Sequence, residues 1–109
     1  MILTMHLHAA QFDLVKSGVK TVETRVNDAK RRSICVGDTL VYIHRDTNET
    51  IHATVTSIDC FNDFEPAVTT FSTRLGRSIE PVLQDLKTFY TTHEVKQHGV
   101  VVFGFKVTQ

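Results

Sequence analysis

The chain is poor in cysteine: Cys35 and Cys60 stand far apart with no CxxC pair. No zinc knuckle and no dithiol redox motif can be built from them. The two thiols read instead as small, semi-buried residues in a reducing compartment. There is no G-x-S-x-G nucleophile elbow, which counts against a Ser/His/Asp hydrolase. No apolar run approaches the ~18 residues needed to span a bilayer. The stretch from Met1 to His6 lacks the basic flank and apolar core of a signal peptide. These absences lead to the expectation of a soluble, cytoplasmic protein with no membrane partner. Charge of one sign is missing too: 12 basic and 12 acidic residues cancel. Nucleic-acid binding, if present, must therefore use a local patch. The chain holds six histidines, and His6 and His8 share one side of a strand, but no carboxylate or cysteine at ligand spacing completes a set. No metal and no cofactor is expected.

What is present is the composition of a globule, 41% hydrophobic and 22% charged over 109 residues, enough for one domain over 1-109. Ile2, Leu3, Met5 and Leu7 mix with polar positions as in a half-buried strand that feeds a helix. In that helix Phe12, Val15 and Val19 form a core stripe, and Gly18 supplies the left-handed stop, so it ends near Ser17. Lys20 to Val26 alternates: Val22, Thr24 and Val26 on one face, Glu23 and Arg25 on the other. Asn27 to Ser33 reads as a solvated basic connection, Thr39 to His44 and Ile51 to Ile58 as a β-hairpin turning at Asp46 to Thr50. Asp63 caps a helix striped by Phe64, Ala67, Val68 and Phe71. Ser78 caps a second one, whose core stripe is Ile79, Val82, Leu83, Leu86 and Phe89. Thr92 to His98 adds a short helical turn stopped by Gly99. Val100 to Val107 is a terminal strand apolar enough to be buried on both faces. The approximate order β-α-β-β-β-α-α-β defines an α+β fold, and so few strands are best protected in a small closed or nearly closed barrel flanked by helices.

Lys20, Glu23 and Arg25 form the main candidate site. In one reading Arg25 grips a phosphate or carbonyl, Lys20 donates to or deprotonates the ligand, and Glu23 orients them. In the other they are an ion pair on an exposed rim, where such pairs contribute about 0 to 1 kcal/mol. Lys30, Arg31 and Arg32 offer either a phosphate grip or a solvated loop. Tyr42, Phe61, Phe64 and Tyr90 are candidates for stacking a base, and Tyr90, at a helix end, is the preferred one.

The run Gly18-Val19-Lys20-Thr21-Val22-Glu23-Thr24-Arg25, with Lys30-Arg31, Val36-Gly37-Asp38 and the later Tyr90, Glu94 and Gly99-Val100, resembles the G-x-K-x-x-E-x-R and V-G-D signatures of ASCH domains in the PUA-like superfamily. The resemblance implies a small mixed β-barrel, a cleft beside the first helix and an association with RNA. It implies two kinds of activity: an RNA- or nucleoside-binding module using Lys20, Glu23, Arg25, Lys30, Arg31 and Tyr90, or a hydrolase with Lys20, Glu23 and Arg25 as its catalytic set. The hydrolases of this group include amidohydrolases acting on N4-acetylcytidine and proteins with ribonuclease activity. In the amidohydrolases the catalytic lysine corresponds to Lys20, but their threonine falls on Glu23, and a carboxylate cannot copy a hydroxyl. Thr21 or Thr24 would have to replace it, and Glu80 lies near the region of their catalytic glutamate. A protein-protein adaptor that kept the barrel but lost the site is the third possibility, and the retained charges of the motif argue against it.

Overall fold

The computed structural model describes residues 1–108. In chain order its elements are β1 (Ile2–Leu7), α1 (Ala9–Lys16), β2 (Val22–Val26), α2 (Ala29–Arg32), β3 (Thr39–His44), β4 (Thr50–Phe61), α3 (Phe64–Thr70), a 3-10 turn (Ser72–Arg74), α4 (Ile79–Phe89), α5 (Thr92–His98) and β5 (Val100–Val107). The expected order is present, with α2 and the 3-10 turn added, and α5 stands where the short helical turn over Thr92 to His98 was expected. Among the described residues no helix is long and apolar enough to cross a membrane.

The strands form one five-stranded mixed sheet in the order β1-β3-β4-β5-β2. β1 pairs parallel with β3, and the other pairings are antiparallel. Five flat strands would hold the two outer ones about 19 Å apart at the usual spacing. Yet Arg25 Nη2 of β2 reaches Met5 Sδ of β1 at 3.6 Å, so the sheet curls strongly. It stops short of closure: the outer edges of β1 and β2 are not paired with each other, and the result is a half-barrel rather than a closed one.

The curl creates two cores. Its concave side holds Leu3, Met5 and Leu7 of β1, Tyr42 of β3, Val101, Phe103 and Phe105 of β5, with Phe12 and Val15 of α1 plugging one end. The other side packs Val22, Val26, Val100 and Val102 against α3, α4 and α5. Residues of β5 enter both cores, which is why its sequence is continuously apolar.

Local signals behave largely as expected. Gly18 (φ 81°) stops α1, Gly99 (φ 73°) stops α5, and Asn48 (φ 61°) turns the β3–β4 hairpin. Asp63 caps α3 by accepting from Phe64 N at 2.7 Å. Ser78 occupies the N-cap of α4 without a side-chain cap bond. The segment read as a solvated connection instead contains α2, because Asp28 accepts from Arg31 N at 3.2 Å and starts a helical turn. Two stripe positions leave the core: Val19 is 53% exposed and Phe89 63%, since Val19 lies beyond the end of α1, past the turn at Gly18, and Phe89 is the last residue of α4. Cys35 and Cys60 are both exposed rather than semi-buried.

Candidate functional site

The cleft opens where the half-barrel fails to close. Gly18 turns the chain back so that Val19 N and Lys20 N both donate to Leu14 O, at 3.1 and 3.0 Å. The chain then enters β2, whose alternation sends Glu23 and Arg25 into the concave side. From across the fold Arg74 clamps this entry: its Nε donates to Thr21 Oγ1 at 2.8 Å, its Nη2 to Thr21 O at 3.2 Å, and Thr21 N donates back to Arg74 O at 3.0 Å. Gly76 sits so close that a Cβ there would lie 3.2 Å from Lys20 Cβ. The turn before α4 is thus fitted against Lys20.

Glu23 is the hub. Its Oε1 accepts from Tyr42 OH at 3.1 Å and lies 3.4 Å from Lys20 Nζ, while its Oε2 lies 3.1 Å from Arg25 Nη2. The side chains are 12% (Lys20), 5% (Glu23) and 19% (Arg25) exposed, so this is no rim ion pair. Burial pushes the Glu23 carboxyl upward, but Arg25, Lys20 and the Tyr42 hydroxyl together outweigh it and hold the group below its ordinary value. Glu23 in turn raises Arg25 against the opposing effect of burial, with a smaller contribution from Tyr90. Burial, then Glu23, drives the Tyr42 hydroxyl well above its ordinary value, so it stays a donor.

A pH dependence follows. A carboxyl depressed in the folded state stabilises the protein fully above its unfolded value and loses that contribution as pH falls through the folded one. Urea unfolding is therefore expected to show stability declining from about the ordinary 4.5 downward, with the Glu23→Gln variant flatter over the same window. For Tyr42, raised when folded, the contribution is present below its ordinary 10.0 and is lost at higher pH.

The cleft has a volume of about 400 Å³, within the range of small-molecule sites. Lys20, Glu23 and Arg25 form one wall and Gln11 and His8 of the α1 end another. Tyr90, Phe89 and Leu86 close the side formed by α4. Lys20 Nζ also reaches Gln11 Oε1 at 3.4 Å. Tyr90, at the C-terminal end of α4, lines the cleft, its ring 5.8 Å from that of Phe64. Of the other aromatic candidates Tyr42 is fully buried, and Phe64 is core.

Lys30 and Arg31 do not line this cleft. Arg31 is engaged by Asp28 at 2.9 Å within its own turn. The cations that join Lys20 and Arg25 are instead Arg45, whose Nη1 lies 3.2 Å from His8 Nε2, and Arg77, paired with Asp85 at 2.6 Å. Sequence reasoning missed both, along with Phe89, because the β3–β4 turn and α4 are remote from β2 in the chain. Thr21 is committed to Arg74. Glu80 is exposed and lies 3.4 Å from Gln84 Nε2, outside the cleft. Glu94 closes a capping box with Thr91 at the start of α5.

The chain belongs to the ASCH domain family, whose model matches residues 5–109. Among solved structures it is similar to the hypothetical protein PH0355, at 25% identity and a TM-score of 0.85, covering 99% of this chain and 100% of that one. It is also similar to protein PF0455 from Pyrococcus furiosus, at 26% identity and a TM-score of 0.77, covering 100% of this chain and 99% of that one. An ASCH protein from Zymomonas mobilis shares the fold at 18% identity and a TM-score of 0.71, covering 96% of this chain and 66% of that one. No curated protein matches the sequence. The half-barrel flanked by helices is thus the PUA-like ASCH fold.

Proposed function

We propose that the cleft binds RNA or a modified nucleoside, with Lys20 and Arg25 donating to phosphate or carbonyl oxygens and Tyr90 stacking on the base. The observation that carries this reading is the state of Glu23: a buried carboxylate shared by two cations and a phenol. A carboxylate so occupied holds cations in fixed positions rather than taking up a proton, and fixed, part-desolvated donors are suited to gripping an anion. Phe89, at the mouth of the cleft, adds a second aromatic surface for a base, and each stacked base is worth about 1 to 3 kcal/mol. Lys30, exposed on α2, would steer a longer strand from outside the cleft, whereas Arg31 would first have to leave Asp28.

The same residues define the hydrolase alternative, in which Lys20 is the acid or base. Incubation with N4-acetylcytidine and with short single-stranded RNA, followed by chromatography, separates the two. Binding predicts recovery of both compounds unchanged. It also predicts RNA affinity that falls with salt at a log–log slope of about −1.4, from two phosphate contacts at roughly −0.7 each. Product formed by the wild type and not by Lys20→Ala would make the protein a lysine-dependent hydrolase instead.

A further inference from the structure

The chain as a whole balances 12 basic against 12 acidic residues, but the cleft does not. Four cations, Lys20, Arg25, Arg45 and Arg77, line it beside two carboxylates, Glu23 and Asp85. With histidine counted neutral, two positive charges there lack a counterion in the cleft, and the pairing shows where they lie. Glu23 serves both Lys20 and Arg25, so that trio keeps one charge in excess. Arg77 is neutralised by Asp85 at 2.6 Å. Arg45 has no carboxylate partner among the described residues. Its Nη1 meets His8 Nε2 at 3.2 Å, and arginine can only donate, so the ring nitrogen is the acceptor. Glu49, from the same β3–β4 turn, is engaged by Lys16 at 2.7 Å.

The fold delivers Arg45 to this place. β1 and β3 run parallel and end together at the Leu7–His44 pair, and Arg45 N donates to Leu7 O at 3.0 Å. His8 and Arg45, the next residue of each strand, therefore leave the sheet side by side, both exposed and both lining the cleft. His8 then starts α1, which carries Gln11 onto the same wall. Gln11 Oε1 takes Lys20 Nζ at 3.4 Å, and that leaves the amide nitrogen of Gln11 as a further donor at this end. The aromatic surface of Phe89 and Tyr90 belongs to a different wall, the one formed by α4.

We infer that Arg45, with the amide of Gln11, seats the phosphate of a nucleotide phosphomonoester, so that the cleft takes nucleotides in preference to nucleosides. This rests on the nucleotide-binding reading above and specifies it. A phosphomonoester at neutral pH carries a charge of about −1.5 to −2 and three strong acceptor oxygens, which answers the two uncompensated charges of the cleft. An internal phosphodiester carries a single charge and answers only half of them. The planar fork of Arg45 has donors for two phosphate oxygens at once. Arg77 is the poorer seat, because a phosphate there would have to displace Asp85. With the phosphate at Arg45, the base is left to the aromatic wall and the inner part of the nucleotide to Lys20 and Arg25.

Such a phosphate comes from a free mononucleotide or from the phosphorylated end of an RNA strand. The test therefore titrates the ¹⁵N-labelled protein with uridine, uridine 5′-monophosphate, and the uridine trinucleotide with and without a 5′-phosphate, in wild type and in Arg45→Ala. The monophosphate is expected to bind about thirtyfold or more tighter than uridine, and that ratio to fall by about tenfold or more in Arg45→Ala, the loss of a hydrogen bond to a charged group. Arg45 is exposed, so the variant should melt as the wild type does. If the 5′-phosphate gives the trinucleotide the same advantage, the ligand is a strand end; if it gives none, the ligand is the free nucleotide, and either result supports the seat. Equal binding of uridine and its monophosphate, with Lys20 and Tyr90 perturbed by both, would keep the cleft as a nucleoside site and overturn the phosphate seat. A preference for the monophosphate that survives in Arg45→Ala would overturn it too, by placing the phosphate on Lys20 and Arg25. If no compound perturbs any cleft residue, both this inference and the nucleotide-binding reading fall.

Discussion

Replacing Glu23 with alanine is expected to destabilise the fold by about 3 to 5 kcal/mol, because removing one partner of a buried ionic cluster leaves the other charges uncompensated. Lys20 and Arg25 would then face each other inside the half-barrel, and the Tyr42 hydroxyl would lose its acceptor. For a domain of this size that corresponds to a fall of more than about 12 °C in melting temperature. Glu23→Gln keeps the volume and an acceptor but not the charge, so its loss should be smaller than that of alanine and larger than the roughly 1 kcal/mol of an exposed pair. Urea or thermal unfolding of the three proteins checks this. A change below about 1 kcal/mol for alanine would return the cluster to the status of a solvated rim pair.

Arg25→Ala is expected to weaken nucleotide binding by about 10- to 100-fold, the loss of a hydrogen bond to a charged group at roughly 1.5 to 3 kcal/mol. Arg25→Lys sharpens the prediction. Lysine restores a positive charge beside Glu23, so most of the stability should return. It lacks the planar fork that can bond Glu23 and a ligand oxygen at once, so affinity should stay low. Titration calorimetry beside a melting curve separates the two quantities. Full recovery of affinity in the lysine variant would mean that Arg25 contributes charge alone.

Much of this arrangement is legible in the sequence, and the limits have physical causes. The alternation of Val22, Thr24 and Val26 against Glu23 and Arg25 fixes which side chains share a face, because strand geometry is local. It does not say whether the polar face meets water. The curl of the sheet turns that face into the concave core, so Glu23 is buried where composition alone would expose it. The apolar run of β5 announces burial on both faces. The parallel pairing of β1 with β3 and the failure of β1 and β2 to close are non-local, and no residue pattern encodes them. The turn ahead of β3 illustrates the same boundary: Val36-Gly37-Asp38 is readable as a turn, and Gly37 adopts φ 95°. Its partner, Val55 O at 2.8 Å from Gly37 N, is not readable. Helical stripes identify Leu83 and Leu86 as core correctly but overreach at Phe89, where periodicity continues past the end of the packing surface. The cations Arg45 and Arg77 escaped for the same reason: they reach the cleft only through tertiary folding.

The claim that Lys20 and Arg25 are cations held by Glu23 for an anionic ligand is tested most directly by the salt dependence of short-RNA binding, wild type against Lys20→Ala. The expected result is an affinity at least tenfold lower in the variant and a log–log salt slope shallower by about 0.7, one lost phosphate contact, in a protein that still melts cooperatively. Equal affinity and an unchanged slope would place the RNA elsewhere on the molecule and contradict the account.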